Sequence, residues 1–122
     1  MFDHIEFSVS DITAARRFYG AICQAIGAQE LFFDAKGGEL GLGKGDVTHL
    51  LLMQGTPTQP AMHICFQADS KDAVIAAHTA ALQAGGTCNG APGYRDHYGA
   101  GYFPAFMRDA DGHNVEVLFR ER

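Results

Sequence analysis

His4-Ile5-Glu6-Phe7-Ser8-Val9 and His63-Ile64-Cys65-Phe66-Gln67-Ala68 are two versions of one pattern, 59 residues apart. Ile5, Phe7 and Val9 point one way in the first, and His4, Glu6 and Ser8 the other. Ile64 and Phe66 alternate with His63, Cys65 and Gln67 in the second. A period of two with one apolar side is a strand with one buried face. The same offset lays Ala14 on Ala73, Ala21 on Ala80 and Gly27 on Gly86. Beyond an eight-residue insertion the offset becomes 67, which lays Gly45 on Gly112, His49 on Glu116 and Leu51 on Leu118.

The order of elements repeats too. After the first strand (2–9), Ser10 or Asp11 can cap a helix whose stripe is Ile12, Ala15, Tyr19, Ile22 and Ile26. Gly27 stops it, and strands follow at 28–34, 39–43 and 47–54, joined by turn-rich segments. The second half gives a strand at 62–68, an Ala-rich helix at 72–84 after Ser70, and strands at 87–89, 102–108 and 114–120. Each half therefore reads β-α-β-β-β. The chain is an α+β domain over 1–122, with module one at 1–55, a Pro-containing linker at 56–60 and module two at 61–122.

Composition narrows the function. The chain has 122 residues, 47 % of them hydrophobic and 19 % charged, which is an ordinary globular balance. A net charge of −5 speaks against a nucleic-acid binder or a basic membrane-surface protein. No apolar run approaches the length of a membrane span. Three cysteines without a CxxC pair point to free thiols and a cytoplasmic location.

The repeat places His4 and His63 at one equivalent position, and His49 and Glu116 at another. A pseudo-twofold axis would let the two pairs converge. Imidazoles and a carboxylate suit one divalent ion, Zn²⁺, Ni²⁺, Fe²⁺ or Mn²⁺. Glu116 lies among Val115, Val117 and Leu118, where an unpaired carboxylate is costly, so it needs a metal or a basic partner. His49 is either a fourth ligand or a hydrogen-bonded core histidine.

The stretch from His4 to Asp11, followed by Ala15-Arg16-Arg17-Phe18-Tyr19, resembles the opening of a vicinal oxygen chelate protein. That superfamily includes glyoxalase I, extradiol dioxygenases, fosfomycin-resistance thiol transferases and bleomycin-resistance proteins. His63 to Ala68 resembles the start of its second module, and Asp109-Ala110-Asp111-Gly112-His113-Asn114-Val115-Glu116 its closing hairpin. The resemblance implies paired βαβββ modules forming a cup-shaped half barrel around a divalent metal held by His4, His63 and Glu116. It puts His49 where glyoxalase I carries a glutamate. It implies a homodimer and a small-molecule substrate. Glyoxalase-like lyase or isomerase chemistry leads; an iron-dependent dioxygenase and a non-catalytic binding protein are the alternatives.

The loop at 90–101 falls in the insertion that breaks the repeat. Within and beside it, Arg95 can hold a substrate carboxylate, and His97 can act as general acid or base. Tyr98, Tyr102 and Phe103 can form aromatic walls, or can pack at a dimer interface. His78 reads as a packing or surface residue of the second helix, His113 as an exposed turn residue and Cys65 as a small buried thiol.

Overall fold

The computed structural model describes residues 1–122. Strands β1 (Ile5–Val9), β2 (Gln29–Asp34), β3 (Glu39–Lys44) and β4 (Val47–Gln54) form one sheet in the order β1-β4-β3-β2. Strands β5 (His63–Gln67), β6 (Thr87–Gly90), β7 (Tyr102–Arg108) and β8 (Asn114–Arg120) form the other in the order β5-β8-β7-β6. Within each sheet only the first strand and its neighbour run parallel; the remaining pairs are antiparallel. The chain is thus α+β, built from two βαβββ modules.

Helix α1 (Ile12–Ala25) starts at Asp11, whose carboxylate accepts the backbone N–H groups of Thr13 and Ala14. These are donors that the first helical turn leaves without partners. Its buried stripe is Ile12, Ala15, Phe18, Tyr19, Ile22 and Cys23. Helix α2 (Lys71–Gln83) starts at Ser70, which accepts from Ala73 N–H, and buries Val74, Ala77 and Ala81. Gly27, at φ +79, takes the left-handed conformation that ends α1.

Each helix packs on its own sheet, and the two helices pack on each other. The core is therefore continuous across both modules. Two polar contacts lock the joint. The Tyr19 hydroxyl donates to Asp109 Oδ2 at 2.6 Å, and Ser10 donates to Asp111 through its N–H at 2.9 Å and its hydroxyl at 2.6 Å. One face of each sheet is used in this way. Side chains at alternate positions project from the other face: Glu6, Ser8, Leu51 and Met53 from the first sheet, and Cys65, Gln67, Glu116 and Tyr102 from the second. No helix is long and apolar enough to cross a membrane.

Candidate functional site

The parallel pairing of β5 with β8 sets Cys65 opposite Glu116, with His63 two residues before it. Val115 and Val117 point into the core, so Glu116 points to the opposite, helix-free face. Even there it is only 3 % exposed. Both oxygens of its carboxylate are engaged. His63 Nε2 donates to Oε1 at 3.0 Å, and the Tyr102 hydroxyl donates to Oε2 at 2.5 Å. A carboxylate so enclosed is costly to bury without such donors. Burial, and then the Glu116 charge, raise the Tyr102 hydroxyl's pKa, so it remains a protonated donor. Phe106 lies opposite Glu116 on β7, its ring 6.3 Å from that of His63. The Arg120 guanidinium stacks 5.0 Å over the Tyr102 ring.

The other two candidate ligands sit together in module one. His4 immediately precedes β1, and its Nδ1 donates to Asp3 Oδ1 at 2.7 Å. That hydrogen bond pulls the Asp3 carboxyl below its ordinary pKa. It also leaves the lone pair of His4 Nε2 free, the arrangement that prepares an imidazole for metal. His49 Nδ1 donates to the Asp3 carbonyl at 2.8 Å, so this ring holds the chain end that carries His4. No three of His4, His49, His63 and Glu116 bring their donor atoms within 4.8 Å of one another in one chain.

The group that does so is Asp109, Asp111 and His113. Its oxygens already have partners. Asp109 Oδ1 accepts from the N–H groups of Asp111 and His113, and Oδ2 from Tyr19; the two Asp111 oxygens accept from Ser10. His113 corrects the sequence reading, because it is 1 % exposed rather than on the surface. Its Nδ1 accepts from Met62 N–H at 2.9 Å, and its ring packs edge-on to Phe7, 5.2 Å between centroids. The cluster ties the closing hairpin to module one.

Residues 1–117 match the family model described as the Glyoxalase/Bleomycin resistance protein/Dioxygenase superfamily. The chain belongs to this superfamily. No curated protein matches it. Among solved structures, it resembles a glyoxalase/bleomycin resistance protein from Albidiferax ferrireducens T118. The two are 27 % identical, with TM-score 0.81, over 98 % of this chain and 99 % of that one. A glyoxalase/bleomycin resistance protein/dioxygenase family enzyme from Burkholderia phytofirmans PsJN is 20 % identical, with TM-score 0.74 and 98 % of each chain covered. A fosfomycin resistance protein from Mesorhizobium loti is 21 % identical, with TM-score 0.70, over 98 % of this chain and 91 % of that one. At these last two identities the likeness is one of fold.

In this superfamily member the loop after β6 folds a short 3₁₀ turn over Asp96–Tyr98. The rings of His97 and Tyr98 lie 4.2 Å apart, and those of Tyr98 and Tyr102 5.3 Å, so an aromatic row leads from His97 to the residue that holds Glu116. Arg95 donates to the carbonyls of Gly93 and Ala91 at 3.0 and 2.8 Å, which fixes the loop from within. Phe103 departs from the expected wall with Tyr102. Consecutive strand residues project to opposite faces, and Phe103 lies 8 % exposed in the core, against Tyr94. Cys65, read as buried, is an exposed residue. Its sulfur is nonetheless crowded, and burial together with the Glu116 charge pushes the thiol up to about 12.

Two features escaped the sequence reading. The role of Tyr102 as partner to Glu116 has no local signal, because it depends on how β7 lies on β8. Phe32 covers Gly41 on the helix-free face of the first sheet; a Cβ at Gly41 would sit 2.2 Å from its ring. The glycine at 41, between Leu40 and Leu42, was the available clue.

Proposed function

We propose that the protein is a metal-dependent enzyme of the glyoxalase type, a lyase or isomerase that binds two adjacent oxygens of a small substrate. His63 and Glu116 of one chain would hold the ion with His4 of a second copy. The observation that carries the reading is the pairing of His63 Nε2 with the buried Glu116 carboxylate at 3.0 Å. The residues fit the group. An exposed imidazole hydrogen-bonded to a buried carboxylate is a borderline N/O donor set that suits a divalent ion. His4, with Asp3 on its Nδ1, offers the same chemistry from module one. Its distance from the His63–Glu116 pair within one chain supports a site completed by a homodimer.

A divalent ion bound there supplies Lewis acidity to the substrate oxygens. The protein supplies the rest. Tyr102 fixes the plane of the Glu116 carboxylate and donates a proton to it that resists ionisation. Glu116 and His97 are the proposed proton carriers, one at the floor of the site and one at the rim. Tyr98 and Tyr102 form the apolar wall, and Arg95 orders the loop that carries it and can offer its charge to a substrate carboxylate.

The test is metal content by mass spectrometry on untagged protein and on Glu116→Ala, with the mass of each in solution. Near-stoichiometric metal in a dimer, lost in the variant, is the expected result. Zinc or nickel directs the assay to isomerisation of thiol adducts. Iron with oxygen uptake on a catechol moves the activity to ring cleavage. No metal in either protein after reconstitution overturns the reading and leaves a ligand-binding module.

A further inference from the structure

We propose that Cys88 and His78 form a reactive thiol–imidazole pair, and that Cys88 is the site at which this chain is oxidised by hydroperoxides. The pair lies outside the candidate metal site. Cys88 is in β6, the edge strand of the second sheet, opposite Met107. His78 is in α2, which covers the same face of that sheet. The Cys88 thiol donates to His78 Nε2 at 3.2 Å, and Cys88 is exposed.

The chain carries its own comparison, since all three cysteines are free. Burial pushes the Cys23 thiol up to about 11. The Cys65 thiol is pushed up to about 12, by burial first and then by the Glu116 charge. A thiol attacks only as thiolate, so both are poor nucleophiles at neutral pH. Cys88 alone of the three has an imidazole within hydrogen-bond distance. Burial of His78 lowers its pKa, which makes it a weaker base but keeps the ring neutral, so the lone pair of Nε2 can accept the thiol hydrogen bond.

The step balances with a hydroperoxide as oxidant. The Cys88 proton passes to His78 Nε2, and the thiolate sulfur attacks the nearer peroxide oxygen. The S–O bond forms as the O–O bond breaks. The departing oxide takes the proton from His78 and leaves as water, or as an alcohol from an alkyl hydroperoxide. Sulfur is oxidised by two electrons to sulfenic acid, the peroxide is reduced, and His78 is regenerated.

The test treats reduced, folded protein with hydrogen peroxide in the presence of dimedone, which traps sulfenic acid, and maps the adducts by mass spectrometry. Initial rates with iodoacetamide are measured beside it, against glutathione. Dimedone is expected first on Cys88, and iodoacetamide on Cys88 faster than on glutathione. Cys23 and Cys65 should stay unmodified. His78→Gln should slow Cys88 alkylation about threefold or more, because it removes the imidazole that accepts the thiol hydrogen bond. Adduct forming first on Cys65, or a Cys88 rate unchanged by His78→Gln, overturns the proposal. If that variant unfolds, Cys23 becomes labelled; the wild-type rate then decides, and one no higher than that of glutathione overturns it.

Discussion

Leu51 occupies in the first module the position that Glu116 occupies in the second: Leu51 stands opposite Glu6 on β1, and Glu116 opposite Cys65 on β5. His49 lies two residues earlier, at the bulge where the β3–β4 register shifts. The internal repeat, aligned at an offset of 67, pairs His49 with Glu116, but the strand register moves that pairing to Leu51. On this register Leu51→Glu is expected to add a ligand and tighten metal binding by about tenfold or more, the scale on which individual partners act at metal sites. His49→Ala should leave metal stoichiometry unchanged. Calorimetric metal titration of both variants checks this; loss of metal in His49→Ala with no gain in Leu51→Glu would restore the original alignment.

The same two residues show what sequence could and could not tell. Period-two alternation at β1 and β5, and the apolar stripe of α1, marked these elements, because side-chain direction follows from backbone period; β5 and α1 fell within a residue or two, and β1 begins three residues later than expected. Glu116 could be picked out because a carboxylate between valines demands a partner. Its partner could not be named, since Tyr102 reaches it only through the register of β7 against β8. The repeat offset slipped by two residues, because any even shift preserves which face a strand residue takes. Phe103 was misplaced for the complementary reason: an odd step from Tyr102 reverses the face. His113 looked exposed beside its turn, and only the packing of the two modules buries it.

Tyr102→Phe removes the donor to Glu116 Oε2 and leaves that oxygen without a partner in a buried setting. The expected loss of stability is about 1–3 kcal/mol, measured by urea unfolding of the metal-free protein. In the loaded protein the carboxylate loses its orientation, and metal affinity should fall about tenfold or more. Unchanged affinity beside lowered stability would make Tyr102 a structural partner only.

Two glycines carry opposite expectations. A Cβ at Gly20, in the middle of α1, would meet nothing within 4 Å. Gly20→Ala should therefore raise stability by about 0.5–1 kcal/mol through helix propensity. At Gly43 a Cβ would lie 1.8 Å from the Val47 carbonyl oxygen, which is backbone and cannot swing aside. Gly43→Ala should force the β3–β4 hairpin open and lower stability by more than about 2 kcal/mol, within the range of overpacked sites. Thermal unfolding of the two variants gives both signs in one experiment.

The joint between the modules should make the fold sensitive to alkali. Tyr19 is fully buried, and its hydroxyl donates to Asp109. Burial first, and then the Asp109 charge, raise its pKa far above the ordinary 10.0. The unfolded chain therefore loses this proton near pH 10.0, while the folded chain keeps it. Stability is fully present below that pH and falls as pH rises beyond it, by about 1.4 kcal/mol for each further unit from this one group. Tyr102 acts in the same direction. The Cys23 thiol, raised from 9.0 to about 11, adds a decline that begins above pH 9.0. Tyr19→Phe should lower the melting temperature at neutral pH, because Asp109 loses a hydrogen bond, yet lessen the slope above pH 10.0. Melting temperature against pH, followed with phenolate absorbance, measures both effects. Parallel curves for the variant and the wild type would show that Tyr19 does not govern the alkaline limb.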